Sequence, residues 1–170
     1  MAGSNIPSTP ADGNIKTVLV PAVADLTKPT LTELNAATAK QISCYLTAGG
    51  FALTVDQATI ADERECDTIT RGLPGRKTPT LAITGIDNTN SEVEENDLAE
   101  ALTEGSKWIA VRRRGKAFDA AFETGDVVSV TEFTVGVRSE VAAEANSVLR
   151  SVWNTFVNGF EPDAVVAAGA

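Results

Sequence analysis

Two cysteines, an acidic loop, a glycine-rich stretch and a basic run are the places in this 170-residue chain where residue type and spacing point to chemistry. Cys44 and Cys66 lack Cys-x-x-Cys spacing, and two cysteines are too few for a disulfide framework in a chain of this length. Cys44 lies in QISCYLT (41–47), between Ile42 and Leu46 in an alternating pattern, and reads as a small apolar residue. The chain has no histidine. That removes the commonest activator of a cysteine or serine nucleophile and all histidine-based zinc sites. The acidic loop DNTNSEVEEND (87–97) invites a test as a calcium site. An EF-hand loop starting at Asp87 requires Gly at its sixth place and Glu at its twelfth; Glu92 and Leu98 stand there, so the motif fails. GLPGRKT (72–78) lacks the spacing of a phosphate loop, and Pro74 removes an amide donor that such a loop uses. The basic run Arg112, Arg113, Arg114, Lys116 has no catalytic pattern. In an acidic chain its natural partner is the acidic surface of the same chain or of another copy, which suggests an inter-subunit role. The expectation is a protein that is not an enzyme and has no cofactor or metal site.

Composition narrows the class further. There are 14 Lys+Arg against 23 Asp+Glu, a net charge of −9, and only 5% aromatics beside 25 Ala, 20 Thr and 17 Val. The length suits one domain with its own core. No apolar run reaches the roughly 18 residues of a membrane-spanning helix. A net-negative surface repels nucleic acid. The N-terminus, MAGSNIPSTPADGNIK, lacks the basic and apolar regions of a secretory signal. Its polar, Pro/Gly/Ser-rich character predicts an extended arm over residues 1–15, with one β domain over 16–170.

The elements that must position these residues are mostly strands. KTVLV (16–20) is a β run closed by Pro21. Thr30 and Glu33 form a capping box for a short helix over 30–38. Residues 41–47 and 51–56 alternate around Gly49-Gly50 and predict a hairpin, with Phe51, Leu53 and Val55 on one face. Residues 57–70 are a polar acidic stretch, 71–79 a turn cluster, and 80–86 a strand with Leu81 and Ile83 inward. Ser91 and Glu94 predict a second capped helix over 91–104, stopped by Gly105. Residues 107–113 and 127–137 read as strands around a loop at 117–125. In the second of these the apolar phase switches near Thr131, which predicts a bulge or burial on both faces. The segment 141–157 has a helical stripe but strand-forming residue types; Asn158-Gly159 reads as a turn and 164–168 as a last short strand. The sum is a mainly β fold, a sandwich or barrel of seven to eight strands with one flanking helix and a short N-terminal helix. The residues themselves stop at an acidic β-rich assembly or binding module.

The order and phrasing of these segments carry a resemblance. PTLTELNAAT (29–38), QISCYLTAGGFAL (41–53), RGLPGRKTPTLAITGID (71–87), LTEGSKWIAVRRRG (102–115) and FETGDVVSVTEFTVGV (122–137) resemble, in sequence order, the tail tube (major tail) proteins of long non-contractile phages of actinobacteria. The resemblance spans about residues 17–167. It implies the phage tail tube fold and a structural subunit whose copies, six to a ring, stack into a hollow tube for DNA ejection. It implies joined sheets between neighbours, and an arm at 1–15 ordered by adjacent subunits. It also turns 148–157 toward strand. By position, 57–70 becomes the ring-stacking loop, with Asp62, Glu63, Arg64 and Glu65 as contacts beside Arg112, Arg113 and Arg114. Asp56, Asp67 and Glu132 become lumen-facing acids. The implied partners are further copies, tape measure and tail terminator proteins, and DNA that passes without specific binding, with no membrane. The implied location is the virion tail, assembled in the host cytoplasm. A virion-decorating β-sandwich module and the tube of a related ejection or secretion machine are the alternatives; the few aromatics speak against a sugar-stacking platform.

Overall fold

The computed structural model describes residues 6–92 and 95–169. Strand β1 (Ile15–Val20) buries Lys16 to Val20 and ends at Pro21, which has no amide to extend a ladder. Helix α1 (Leu31–Leu34) opens on the expected box. The Thr30 hydroxyl accepts from the Glu33 amide at 3.3 Å, and the Glu33 carboxylate accepts from the Thr30 amide at 2.8 Å. Then follow β2 (Lys40–Gln41), β3 (Leu46–Asp62), β4 (Arg71–Ile86), α2 (Asp97–Ala101), β5 (Lys107–Arg114), β6 (Val127–Glu140) and β7 (Arg150–Val165). The strands form one antiparallel sheet in the order β2-β1-β5-β6-β7-β4-β3. The fold is mainly β with two small helices, in keeping with the tail-tube-like architecture expected.

Two apolar clusters lie on opposite faces of this sheet. Leu19, Ala110, Phe133 and Val135 join Phe51, Leu81, Ile83 and Trp153 in the first, with Ile42 and α2 residues Leu98 and Ala101. Strands from both ends of the sheet meet there, so the sheet curls over that face. Val18, Val20, Ile109, Val111, Val128 and Val130 form the second, under Leu34, Phe122 and Val166. The phase switch in β6 therefore reflects burial on both faces: Val128 and Val130 point one way, Phe133 and Val135 the other. The ladder to β7 also carries register shifts, one of them at Glu132/Phe133.

Several local expectations give way to pairing across the sheet. Gly49-Gly50 is not a hairpin turn but a bulge inside β3, where the register to β4 shifts between Leu46 and Phe51. Gly49 has φ +72°, and a Cβ on Gly50 would lie 2.1 Å from the Thr84 carbonyl oxygen. Residues 71–79 are not a turn cluster but the first half of β4. Cys44 is not on an apolar strand face; it sits exposed in a turn between β2 and β3, and Cys66 is exposed as well. Helix α1 is shorter than 30–38. Helix α2 is shorter than 91–104: Asn96 is its N-cap, with no side-chain cap bond, and Ser91 lies before it. Glu94, the other half of the expected box, lies outside the described residues. Residues 150–165 are one strand, so Asn158-Gly159 is not a turn; it marks a register shift against β6. The helical stripe loses because β7 is flanked by β6 and β4, and alternation buries Ser151 and Trp153. Its end replaces the separate strand expected at 164–168, and Ala167 bridges Thr30.

Candidate functional site

The part of β3 and β4 that leaves the core is the first candidate surface. β7 pairs with β4 only as far as Leu81, yet β3 and β4 continue as a pair from Thr54–Thr80 to Asp62–Arg71. Eight residue steps at about 3.3 Å make a two-stranded ribbon about 26 Å long. Pro74 and Pro79, which lack an amide donor, lie where β4 has one neighbour rather than two. No residue of the ribbon is buried, and Ile60, Leu73 and Ile69 expose 54%, 51% and 75% of their surface. Ile60 and Leu73 pair across the ribbon, and Ile69 stands at its tip.

At the tip, charge is only partly paired. Arg64 holds Asp62 through two bonds, Nε to Oδ1 at 3.2 Å and Nη2 to Oδ2 at 3.0 Å. Arg71 reaches Asp67 at 3.4 Å. Glu63 and Glu65 are exposed and have no ion-pair partner among the described residues. Asp56 is exposed on the ribbon, opposite Thr78.

The three arginines of the basic run separate by strand alternation. Arg113 is in phase with Ile109 and Val111, and is 1% exposed. Its guanidinium donates to Asp126 and to the carbonyls of Ala117 and Ala120, each at 3.0 Å, and also to the carbonyl of Ala121. It lies 5.2 Å from the Phe122 ring centre, as does the ammonium of Lys16. Arg113 is thus an internal strut of the 117–126 loop. Arg112 and Arg114 point to the other face. Arg112 lies 4.9 Å over the Phe51 ring, and its buried Nε has no acceptor. Burial, and then Arg114 beside it, push the Arg112 guanidinium below its ordinary pKa. Arg114 is exposed.

The acids assigned to a lumen do not form one group. Asp56 is on the ribbon, Asp67 at its tip, and Glu132 is half-buried opposite Ile109 on the central sheet. Among the described residues, no three or more His, Cys, Asp or Glu converge to hold a metal ion. No helix among them is long and apolar enough to cross a membrane.

A family model described as "Phage tail tube protein" matches residues 4–170. The chain belongs to the phage tail tube protein family. No curated protein matches it. Among solved structures, a chain in the "Cryo-EM structure of the anti-feeding prophage (AFP) baseplate, 6-fold symmetrised" is similar at TM-score 0.54 and 7% identity, over 92% of this chain and 96% of that one. At that identity the likeness is one of fold.

In this tail tube family member, sequence reasoning missed Asp126 and considered Asp87 only as the start of a calcium loop. Asp126 anchors Arg113 and accepts from Lys116 at 2.6 Å and from the Glu123 amide at 3.0 Å. Asp87 accepts from Ser151 at 2.6 Å and from Thr89, and pairs with Arg138 at 3.1 Å. Alternation in KWIAVRRR was the available signal for burying Arg113; nothing local points to its partner. Burial pushes both carboxyls up. The hydrogen bonds and cations outweigh it and hold both below the ordinary value of 3.8. The unfolded chain therefore binds more protons in acid. The stability these two groups contribute is complete above the ordinary value and is lost as pH falls below it. Urea midpoints are expected to hold between about pH 7 and 5 and to fall below about pH 4. The acid slope should be shallower in Asp126→Asn; an unchanged slope would show that Asp126 does not carry it.

Proposed function

We propose that this chain is the repeating subunit of the tail tube of a long non-contractile phage with an actinobacterial host. Six copies form a ring, rings stack, and DNA leaves through the lumen. The role is structural and not enzymatic. The observation that carries this reading is the β3–β4 ribbon, with exposed apolar side chains and a long unpaired edge. A 17-residue edge strand left open invites pairing with another chain, and a ring of copies would cover it. Hence neighbouring sheets join edge to edge, and the ribbon tip, with Asp62 to Glu65, reaches the next ring. The −9 charge suits a wall past which DNA slides, because phosphate-gripping cations would slow it. In this reading exposed Asp56, half-buried Asp67 beside Arg71, and half-buried Glu132 face the lumen or a neighbouring ring.

Residues 1–15 act as an arm against adjacent subunits, although Gly13 and Asn14 already accept from the Phe118 and Gly115 amides. Tape measure and tail terminator proteins are the further partners, assembly takes place in the host cytoplasm, and the product is the virion tail. The fold likeness to a prophage baseplate chain supports a second reading, a tube or baseplate ring of a related ejection machine. Negative-stain images of the purified chain, alone and with its tail partners, are expected to show tubes with six-fold end views. Monomers under every condition would overturn the proposal; single rings that never stack would favour the baseplate reading.

A further inference from the structure

A cleft of about 320 Å³ opens between the start of β3, the 11–13 segment and the end of β5. Arg112, Thr17, Ser43, Cys44 and Phe118 are among its walls, with the exposed Asp12 at the rim. Two of its polar groups have no hydrogen-bond partner among the described residues. The Thr17 hydroxyl belongs to a residue 1% exposed and makes no hydrogen bond, and the buried Nε of Arg112 likewise has none. Among the described residues no acid forms an ion pair with the Arg112 guanidinium, not even exposed Asp12 on the same cleft, and exposed Arg114 follows it at the end of the same strand. A half-buried cation left without an anion is costly unless an occupant supplies one. A carboxylate fits: it offers only acceptors, and the cleft offers an N–H fork and a hydroxyl.

We propose that this cleft is a carboxylate receptor, and that its occupant is the acidic ribbon tip, Glu63 and Glu65, of a second copy of this chain. The charges are complementary, Arg112 and Arg114 outweighing Asp12 at the cleft, and neither Arg112 nor Glu63 and Glu65 has an ion-pair partner among the described residues. The tip cannot reach its own cleft. Gly49 lines the cleft and Asp62 ends the same strand, so thirteen residue steps, at most about 3.3 Å each along a strand with two register shifts, carry the tip up to about 43 Å away, well beyond a side chain's reach. The contact is therefore head to tail between different copies, the kind of interface that propagates into rings or tubes. This assignment rests on the tube reading above and gives its stacking contact a receptor.

The test uses the full chain in three forms: wild type, Arg112→Glu, and the double variant Glu63→Arg/Glu65→Arg. Assembly is read by sedimentation and electron microscopy, and folding by thermal melts. Each variant alone is expected to fold and to need about tenfold or more protein to assemble. An equimolar mixture of the two is expected to recover assembly, because each then offers the tip that the other's cleft accepts. If Arg112→Glu melts early, Arg112→Gln replaces it, with the same rise in assembly threshold expected. Unchanged assembly of either variant, or a folded mixture that does not recover, would overturn the receptor while wild-type tubes leave the tube reading standing. Wild-type protein that never assembles would remove both.

Discussion

Replacing Arg113 with methionine is expected to lower the unfolding free energy by about 3–5 kcal/mol, the loss typical of removing one partner from a buried ion pair. The side chain is 1% exposed, and its partner Asp126 is 8% exposed. Without the guanidinium, the Ala121 carbonyl loses its donor, those of Ala117 and Ala120 keep the Ala120 amide and the Lys16 ammonium, and Asp126 keeps only Lys116 and the Glu123 amide. A buried acceptor without a donor costs about 1–3 kcal/mol at most, and the part-exposed Ala121 carbonyl less, since it can turn to water, so most of the loss comes from the buried Asp126 carboxylate. Arg114→Met, one residue on and exposed, is expected to stay within about 0.5 kcal/mol of wild type. Urea unfolding of the two variants checks this directly. Equal effects at 113 and 114 would mean that alternation in β5 does not govern these side chains.

Replacing residues 57–77 with Asn-Gly is expected to abolish tube formation while leaving the subunit folded. The cut falls at the Asp56–Thr78 pair, where a two-residue turn closes an antiparallel pair. No buried residue is removed, and neither apolar cluster contains a residue from 57–77. Shortening the connection from 21 residues to two lowers the loop-closure cost by about 2 kcal/mol, so it does not destabilise the core. The melting temperature should move by a few degrees at most, and electron micrographs should show no tubes. Tubes of normal appearance from the shortened chain would show that the ribbon is dispensable and would overturn its role in stacking. A collapse in melting temperature would show that the ribbon belongs to the core.

Some features of this protein were legible because their causes are local. The capping box at Thr30 and Glu33 closes within one turn of backbone. The strands at 16–20, 80–86, 107–113 and 127–137 announce themselves by period-two patterning and β-branched residues, and all four form. The switch of apolar phase in 127–137 correctly signals two buried faces, because one side chain cannot serve both. The absence of histidine and the acidic balance narrow the chemistry whatever the fold.

Other features depended on neighbours far along the chain. Gly49-Gly50 has the composition of a turn, but the close approach of the Thr84 carbonyl makes it a bulge in a continuous strand. RGLPGRKTP reads as a turn cluster in isolation, yet pairing with 54–62 extends it. The helical stripe at 148–157 is real in the sequence, but flanking by β4 and β6 satisfies its backbone as a strand and buries Trp153. The basic run looked like one surface patch; strand alternation turned Arg113 inward and left Arg112 in a cleft whose other walls come from residues up to a hundred positions away.

The sequence by itself determined a β-rich, acidic, histidine-free chain whose segment order resembles the tail tube family, because composition, caps and period-two patterns act over a few residues. Only the tertiary structure decided which charges remain unpaired and which strand edge stays open, because ion pairing and strand pairing join residues such as Arg113 with Asp126, and Ser151 with Asp87, whose meeting no local pattern encodes.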